Sequence, residues 1–215
     1  MSYSCIIVGT ALNYSEKLDD RFIYSYLPEL KNNVDDIIGL NCCIIDDFLR
    51  EVCTKFITID YYTCEYLNWY PWLQDKMYID ITVKKEADKR GVLQNITNIF
   101  SISRNIETDI TNNKLYLNSC APTVLHCALN LALKKGLEKG CDKNSIFVYM
   151  LGVSLDLNWT HHNEKIYTLN HKKDDRIIKD MRLSTYNFKN YYNLYSINKQ
   201  QDLYVNYEDP RNIKF

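Results

Sequence analysis

Short apolar segments rich in strand-forming residues alternate along this chain with segments whose apolar residues recur at helical spacing. The strand-type segments are residues 5–8, 36–40, 55–59 and 146–151. Helical segments at about residues 21–30, 45–53 and 62–70 lie between or after them. Parallel strands need long crossover connections, which are usually helices. The alternation therefore predicts an α/β protein with a Rossmann-like, mostly parallel sheet and helices on both faces.

The clearest strand and helix come late in this pattern. A polar turn ends in Pro122, which suits a first helical turn, and apolar residues then recur at helical spacing up to Gly136. Residues 146–151 have the β-branched and aromatic content of a buried strand. We also predict a strand at 77–83, a helix at 91–103 and a short strand at 114–117.

The character of the chain changes after the last of these strands. From residue 158 onward it is polar and rich in tyrosine, and it holds three of the 4 histidines. We therefore expect a Rossmann-like domain at 1–157. Residues 158–215 would form a lid, a small subdomain, a C-terminal extension, or helices that close the sheet edge.

Composition narrows the class of protein. The net charge of −1 over 215 residues argues against a general polyanion binder and gives no clear nucleic-acid signal. The sequence contains no run of 18 apolar residues, so we do not expect a membrane-spanning helix. The short apolar segment near the N-terminus does not resemble a signal peptide. Most of the 8 cysteines lie in apolar or amphipathic runs, so with no secretion signal we expect reduced thiols in the cytoplasm rather than disulfides. The absence of a Cys-x-x-Cys pair argues against a metal site. Few glycines and many Ile, Asn, Lys and Tyr residues suggest AT-rich coding, as in some bacteria, phages and large viruses.

Polar residues follow the predicted strands at one edge of the sheet. Gly9 and Thr10 follow the first strand, Asn41 the second and Asp60 the third. The carboxyl ends of parallel strands meet at a common edge, where α/β proteins bind ligands. The chain has neither Gly-x-Gly-x-x-Gly nor a Walker-type motif, which disfavours the usual dinucleotide and P-loop sites.

The order of these residues resembles that of a known family. The motifs lie around Gly9, Asn41 and Asp60, in the Asn118-Ser119 turn with its helix, and in the strand that ends at Gly152. They are similar to those of bacterial lipooligosaccharide sialyltransferases and the related flagellin-modifying motility accessory factors. The resemblance covers about residues 5–165. It implies an inverting, metal-independent glycosyltransferase with a nucleotide-sugar co-substrate, CMP-sugar being one candidate, and no tightly bound cofactor.

The resemblance also implies roles for individual residues. Gly9 matches the first glycine of the family's donor-binding loop, and Thr10 stands where asparagine is usual. The other residues implied in substrate binding are Asn41, Asp60, Ser119, Gly152 and Asp156.

A histidine after the last strand is the expected general base, because histidine accepts protons near neutrality. His161 and His162 lie in that region, and the cations Lys172, Lys173 and Arg176 would neutralise the leaving phosphate. A solvated polar loop that happens to carry histidines is the alternative interpretation.

Two other functions stay open at this point. A polar residue after the second strand, here Asn41, could bind a ribose hydroxyl in an S-adenosylmethionine-dependent methyltransferase. A viral or phage α/β protein without catalysis could instead use its many tyrosines, since these are enriched at interfaces. The expected partners are a nucleotide-sugar donor and a glycan or other hydroxyl acceptor, and homo-oligomerisation is left open.

Overall fold

The computed structural model describes residues 1–9, 11–12, 24–59, 70–91, 96–100, 106–107, 114–115, 120–153, 160–161, 175–197, 206–207 and 213. Within these residues the strands are, in chain order, β1 (Tyr3–Val8), β2 (Ala11–Leu12), β3 (Asp36–Leu40), β4 (Lys55–Thr58), β5 (Met77–Asp80), β6 (Asn98–Phe100), β7 (Ile106–Glu107), β8 (Lys114–Leu115), β9 (Ile146–Leu151), β10 (Thr160–His161), β11 (Asn193–Ser196) and β12 (Asn206–Tyr207). The α-helices are α1 (Leu27–Leu30), α2 (Asp47–Val52), α3 (Ile81–Lys89), α4 (Cys120–Glu138) and α5 (Asp175–Phe188).

The main sheet has 8 strands in the order β12-β11-β9-β1-β3-β4-β5-β6. Every neighbouring pair in it is parallel. Strands of such a sheet are covered on both faces and read as continuous apolar runs. All six residues of β1 are buried accordingly.

Two hydrophobic cores lie on opposite faces of this sheet, because successive strand residues point to opposite sides. One core joins Ile6 of β1 to Leu27, Leu49 and Val83 from the first three helices. The other joins its neighbour Ile7 to residues of α4 and α5. Helices therefore cover both faces, and the predicted Rossmann-like α/β fold is confirmed.

The strand order reverses at β1. From β1 the chain moves outward through β3, β4, β5 and β6, and it later returns to the other side of β1 with β9, followed by β11 and β12. Sheets of this doubly wound kind bind ligands outside the carboxyl ends of the strands, at the point of reversal. In this chain that point lies between the carboxyl ends of β1 and β9.

Two predicted elements near the far edge differ from the structure: one strand is shorter than predicted, and one predicted helix is contradicted in part. The strand predicted at 77–83 ends at Asp80, because the Asp80 side chain accepts a hydrogen bond from the Thr82 N–H at 2.9 Å and caps α3. The helix predicted at 91–103 is contradicted at residues 98–100, which pair with β5 as strand β6. Pairing with a strand distant in sequence overrides the local helical pattern there.

The helix predicted to stop at Gly136 continues to Glu138. Gly136 lies inside α4, where an added Cβ would come within 2.5 Å of the Ile146 side chain. The helix is terminated by Gly140, which has φ +80. The Gly140 and Cys141 N–H groups donate to the carbonyls of Leu137 and Gly136, which is a Schellman motif. The glycine inside the helix serves packing, and the later one serves as the cap.

Other predicted bounds shift at their ends. Of the helix predicted at 45–53, α2 covers Asp47–Val52 and is capped by Asp46, and a 3-10 turn at Asn41–Ile44 precedes it. Of the helix predicted at 21–30, α1 covers Leu27–Leu30, and the helix predicted at 62–70 lies mostly outside the described residues.

Residues 175–197 extend the main sheet. Helix α5 packs on α4, and β11 pairs in parallel with β9. The division predicted after residue 157 therefore does not separate these residues from the sheet, and a lid stays a prediction for neighbouring segments. Among the described helices, none combines the length and the apolar character that crossing a bilayer requires.

Candidate ligand site at the switch point

Gly9 and Gly152 pack against each other at the point where the strand order reverses. A Cβ on Gly9 would lie 2.3 Å from the Gly152 carbonyl oxygen, and a Cβ on Gly152 would lie 2.6 Å from the Gly9 oxygen. Gly152 also has φ +67, a conformation that side chains rarely adopt. Both residues must therefore be glycine for the ends of β1 and β9 to meet in this way.

The backbone polar groups of Gly9 are bonded within the protein. Its N–H donates to the Leu151 carbonyl at 2.7 Å, and its own carbonyl accepts from the Tyr24 hydroxyl at 2.8 Å. Tyr24 lies just before α1 and is only 4% exposed. The polar backbone groups of Gly9, which was predicted from the sequence to contact a substrate, are thus already bonded, and Gly9 and Gly152 together are called the floor of the candidate site. Hydrogen bonds to a ligand would come from residues that surround this floor.

A short antiparallel ribbon connects the two chain segments that leave this floor. Strand β2 follows Gly9, and β10 lies in the segment after Gly152. The two strands pair so that Leu12 is opposite Thr160 and Ala11 is opposite His161. The backbone of His161, predicted from the sequence as a general base, is therefore placed beside the first loop, which is predicted to hold the donor.

Asn41 occupies the carboxyl end of β3, one strand away from β1. Its φ of 37 lies in the left-handed region, which asparagine tolerates better than most residues. Its side-chain oxygen accepts hydrogen bonds from the Thr58 hydroxyl at 3.0 Å and the Ile59 N–H at 3.3 Å. Asn41 therefore ties the ends of β3 and β4 together. Strained backbone of this kind is often found at functional sites.

Asp80, which was not predicted as a site residue, adds a carboxylate to the same carboxyl edge of the sheet. It ends β5, is 4% exposed, and accepts from both the N–H and the hydroxyl of Thr82. The pattern Asp-x-Thr before a helix is a capping signal, but the strand predicted through residue 83 obscured it.

Burial, with a smaller contribution from the charge of Asp80, raises the pKa of the Cys127 thiol to about 12. Cys127 is therefore a neutral thiol near pH 7 and a poor nucleophile.

The remaining predicted site residues divide into two groups. The structure describes the backbone of Arg176, which lies in the first turn of α5. The others lie outside the described residues: Thr10, Asp60, Ser119, Asp156, His162, Lys172 and Lys173. The structure thus brings together Gly9, Gly152 and the His161 backbone, with Asn41 on the same edge.

His126 lies in a different environment, between α4 and α5. Its ring meets that of Phe188 edge-on at 5.0 Å, and neither ring nitrogen has a hydrogen-bond partner. Burial lowers the pKa of His126 to about 4, so the ring is neutral at pH 7. A structural role is therefore favoured over ligation. The described part of the chain also contains no group of three or more His, Cys, Asp or Glu side chains able to hold a metal ion.

The fold and this edge together define an α/β protein of the doubly wound, Rossmann-like class, with a candidate ligand site at the β1–β9 switch point. Comparisons with protein-family models, with curated proteins and with solved structures gave no match to this chain.

Proposed function

We propose that this chain is a metal-independent glycosyltransferase that transfers a sugar from a nucleotide-activated donor to a hydroxyl acceptor. The observation that carries the proposal is the pairing of His161 with Ala11, two residues beyond the floor at Gly9. This pairing supports the proposal because it brings the backbone of a histidine, a residue type that accepts protons near neutrality, next to the first loop at the edge where doubly wound sheets bind nucleotides. CMP-sugar is one candidate donor.

In the proposed reaction, His161 or His162 takes the proton from the acceptor hydroxyl. The acceptor oxygen forms a bond to the anomeric carbon of the sugar as the bond from that carbon to the donor phosphate breaks. The phosphate leaves with the bonding electrons and an additional negative charge. Positioned base catalysis of this type contributes roughly 10²–10⁴-fold in rate.

The leaving phosphate needs positive charge close by, and three cations are proposed for this role. Arg176 lies in the first turn of α5, and in the sequence Lys173 and Lys172 come two and three residues before the start of that helix. Helix α5 also contacts strand β8, which belongs to the β7–β8 hairpin just before α4. Cations at a developing phosphate charge stabilise the transition state electrostatically.

The floor residues and the remaining polar residues divide the work of binding the donor. Gly9 and Gly152 allow the two strand ends to meet, and Asn41 holds the neighbouring strand ends in place. The proposed direct contacts to the donor come from the four other polar residues, Thr10, Asp60, Ser119 and Asp156.

The cytoplasm is the proposed location. Among the described residues, Cys5, Cys53, Cys127 and Cys141 are free thiols, and Cys5 and Cys53 are fully buried in the cores. Free thiols of this kind are typical of a reducing compartment. A viral or phage source remains a prediction from composition alone.

Donor binding can be tested by thermal unfolding in the presence of CMP, UDP, GDP and S-adenosylhomocysteine. A ligand at a hundred times its dissociation constant adds about 2.7 kcal/mol to stability. For a chain of this size that corresponds to a rise in Tm of about 5–10 °C. A shift with a nucleotide supports the proposal, whereas a shift with S-adenosylhomocysteine alone would indicate the methyltransferase. The absence of any shift would refute nucleotide-dependent transfer.

The role of the base can be tested in the same protein. Replacing His161 and His162 together by Ala should lower transfer by roughly 10²–10⁴-fold while the nucleotide-induced Tm shift persists. His171→Ala serves as the matched histidine control and should retain transfer. Equal losses in the double variant and the control would show that neither His161 nor His162 is the base.

A further inference from the structure

Tyr24 lies at the switch point, although no sequence pattern marks it as functional. Its buried hydroxyl donates to the Gly9 carbonyl at 2.8 Å. A Cβ on Gly152 would lie only 1.9 Å from the same hydroxyl oxygen. One phenol group therefore contacts the carboxyl ends of both β1 and β9, and it does so from the segment that enters α1.

The hydrogen bond from Tyr24 also closes the connection between β1 and α1. Gly9 begins this connection and Tyr24 lies three residues before α1, so the bond links the start of the connection to a point near its end. Only Thr10 separates Gly9 from Ala11, which pairs with His161. The hydroxyl of Tyr24 is thus coupled through a very short stretch of chain to the backbone of the proposed base.

We propose that Tyr24 is a positioning residue for the transfer reaction. By holding Gly9, it sets the position of the first loop and, through the β2–β10 ribbon, the position of His161. It acts through these residues and does not itself touch the donor. The kinetic part of this inference rests on the proposed function, whereas the coupling from Tyr24 to the ribbon can be measured without any activity.

Tyr192 provides a matched control for removal of the Tyr24 hydroxyl. Its hydroxyl donates to the Leu129 carbonyl at 3.1 Å, and the residue is 3% exposed. Tyr24→Phe and Tyr192→Phe therefore each delete one buried phenol-to-carbonyl bond of similar burial. Tyr192 bonds to α4, away from the switch point.

Hydrogen exchange tests the coupling directly. In Tyr24→Phe, the amides of residues 11–12 and 160–161 should exchange roughly fivefold faster, as expected for the loss of one buried hydrogen bond. In Tyr192→Phe they should exchange at the unaltered rate. Unchanged ribbon exchange in Tyr24→Phe, or equal acceleration in both variants, would overturn the inference.

If Tyr24→Phe does not fold, hydrogen exchange in the unaltered protein tests the coupling between Gly9 and the ribbon. Ribbon amides that open together with Gly9 support the coupling, and ribbon amides that open independently of Gly9 refute it.

Kinetics tests the consequence for the reaction. Tyr24→Phe should lower kcat by roughly 10- to 100-fold, because small displacements of a catalytic group are costly. The donor KM should change far less, and Tyr192→Phe should retain the original kcat. A purely structural role would lower Tm in both variants and leave kcat intact well below Tm. If the unaltered protein shows no transfer, the proposed function fails, and the exchange result still decides whether Tyr24 controls the ribbon.

Discussion

Acidification should destabilise this protein through His126, and the size of the effect follows from its environment. The ring is 1% exposed, neither nitrogen is hydrogen-bonded, and burial lowers its pKa from 6.5 to about 4. Above pH 6.5 the imidazole is neutral in both the folded and the unfolded chain, so its contribution to stability is constant. Between pH 6.5 and 4 the unfolded chain binds a proton that the folded protein does not.

The free energy of unfolding therefore falls as the pH drops through this window. Each unit of pKa difference corresponds to 1.36 kcal/mol, so the full effect of His126 is about 3 kcal/mol, complete below pH 4. Carboxylates add their own dependence on pH, mainly toward the acid end of the window. A variant without the imidazole is needed to isolate the contribution of His126.

Urea unfolding of the unaltered protein and of His126→Leu, at several pH values between 7.5 and 4.5, measures that contribution. The stability difference between the two proteins should change by about 2–3 kcal/mol across this range, in favour of the variant at low pH. Ser184→Ala is the control, because it removes an unpartnered buried hydroxyl from α5 without removing a titrating group. The difference in the free energy of unfolding between Ser184→Ala and the unaltered protein should be the same at every pH. A pH-independent difference for His126→Leu would refute the reasoning.

Three further predictions concern the carboxyl edge of the sheet. Gly152→Ala should destabilise by roughly 2–5 kcal/mol in urea unfolding, because it adds steric overlap to an unfavourable φ. Gly91→Ala has a similar φ of +70 and no atom within 4 Å, so it should cost only about 1 kcal/mol; equal losses would contradict the packing argument. Asn41→Ala should be about 1 kcal/mol less stable than Asn41→Gly, because both lose the side-chain bonds and only glycine relieves the positive φ. Asp80→Ala should lose about 1–2 kcal/mol in thermal unfolding together with helical circular dichroism from α3, and an unchanged Tm would argue against the cap.

Local patterns predicted the inner part of the sheet well. Residues 36–40 and 146–151 were predicted as strands and form β3 and β9 with the same bounds, because a buried parallel strand must be apolar throughout. The prediction was wrong where two local signals competed. At Asp80 an alternating pattern continued past a capping residue, and at Gly136 a glycine that packs against Ile146 was taken for a helix terminator.

The candidate site was predicted only in part for a related reason. Strand ends such as Gly9, Asn41 and Gly152 can be located from the sequence, because each follows an apolar run. The role of each residue depends on what it meets across the fold. The hydroxyl of Tyr24 was missed because a tyrosine in a predicted helix carries no local mark of its distant partner. The carboxylate of Asp80 was missed because the strand pattern through residue 83 obscured its capping role.

The sequence by itself determined the α/β class, the main inner strands and the polar residues that end them. These features follow from hydrophobic periodicity and chain stereochemistry, which act over a few neighbouring residues. The tertiary structure alone decided that β9 lies beside β1, that Gly9 and Gly152 pack together, and that Ala11 pairs with His161. Each of these contacts joins residues far apart in the chain. Such contacts form because this strand order lets the sheet bury apolar surface in both cores. The resulting stabilisation comes from the complete fold and not from any single segment.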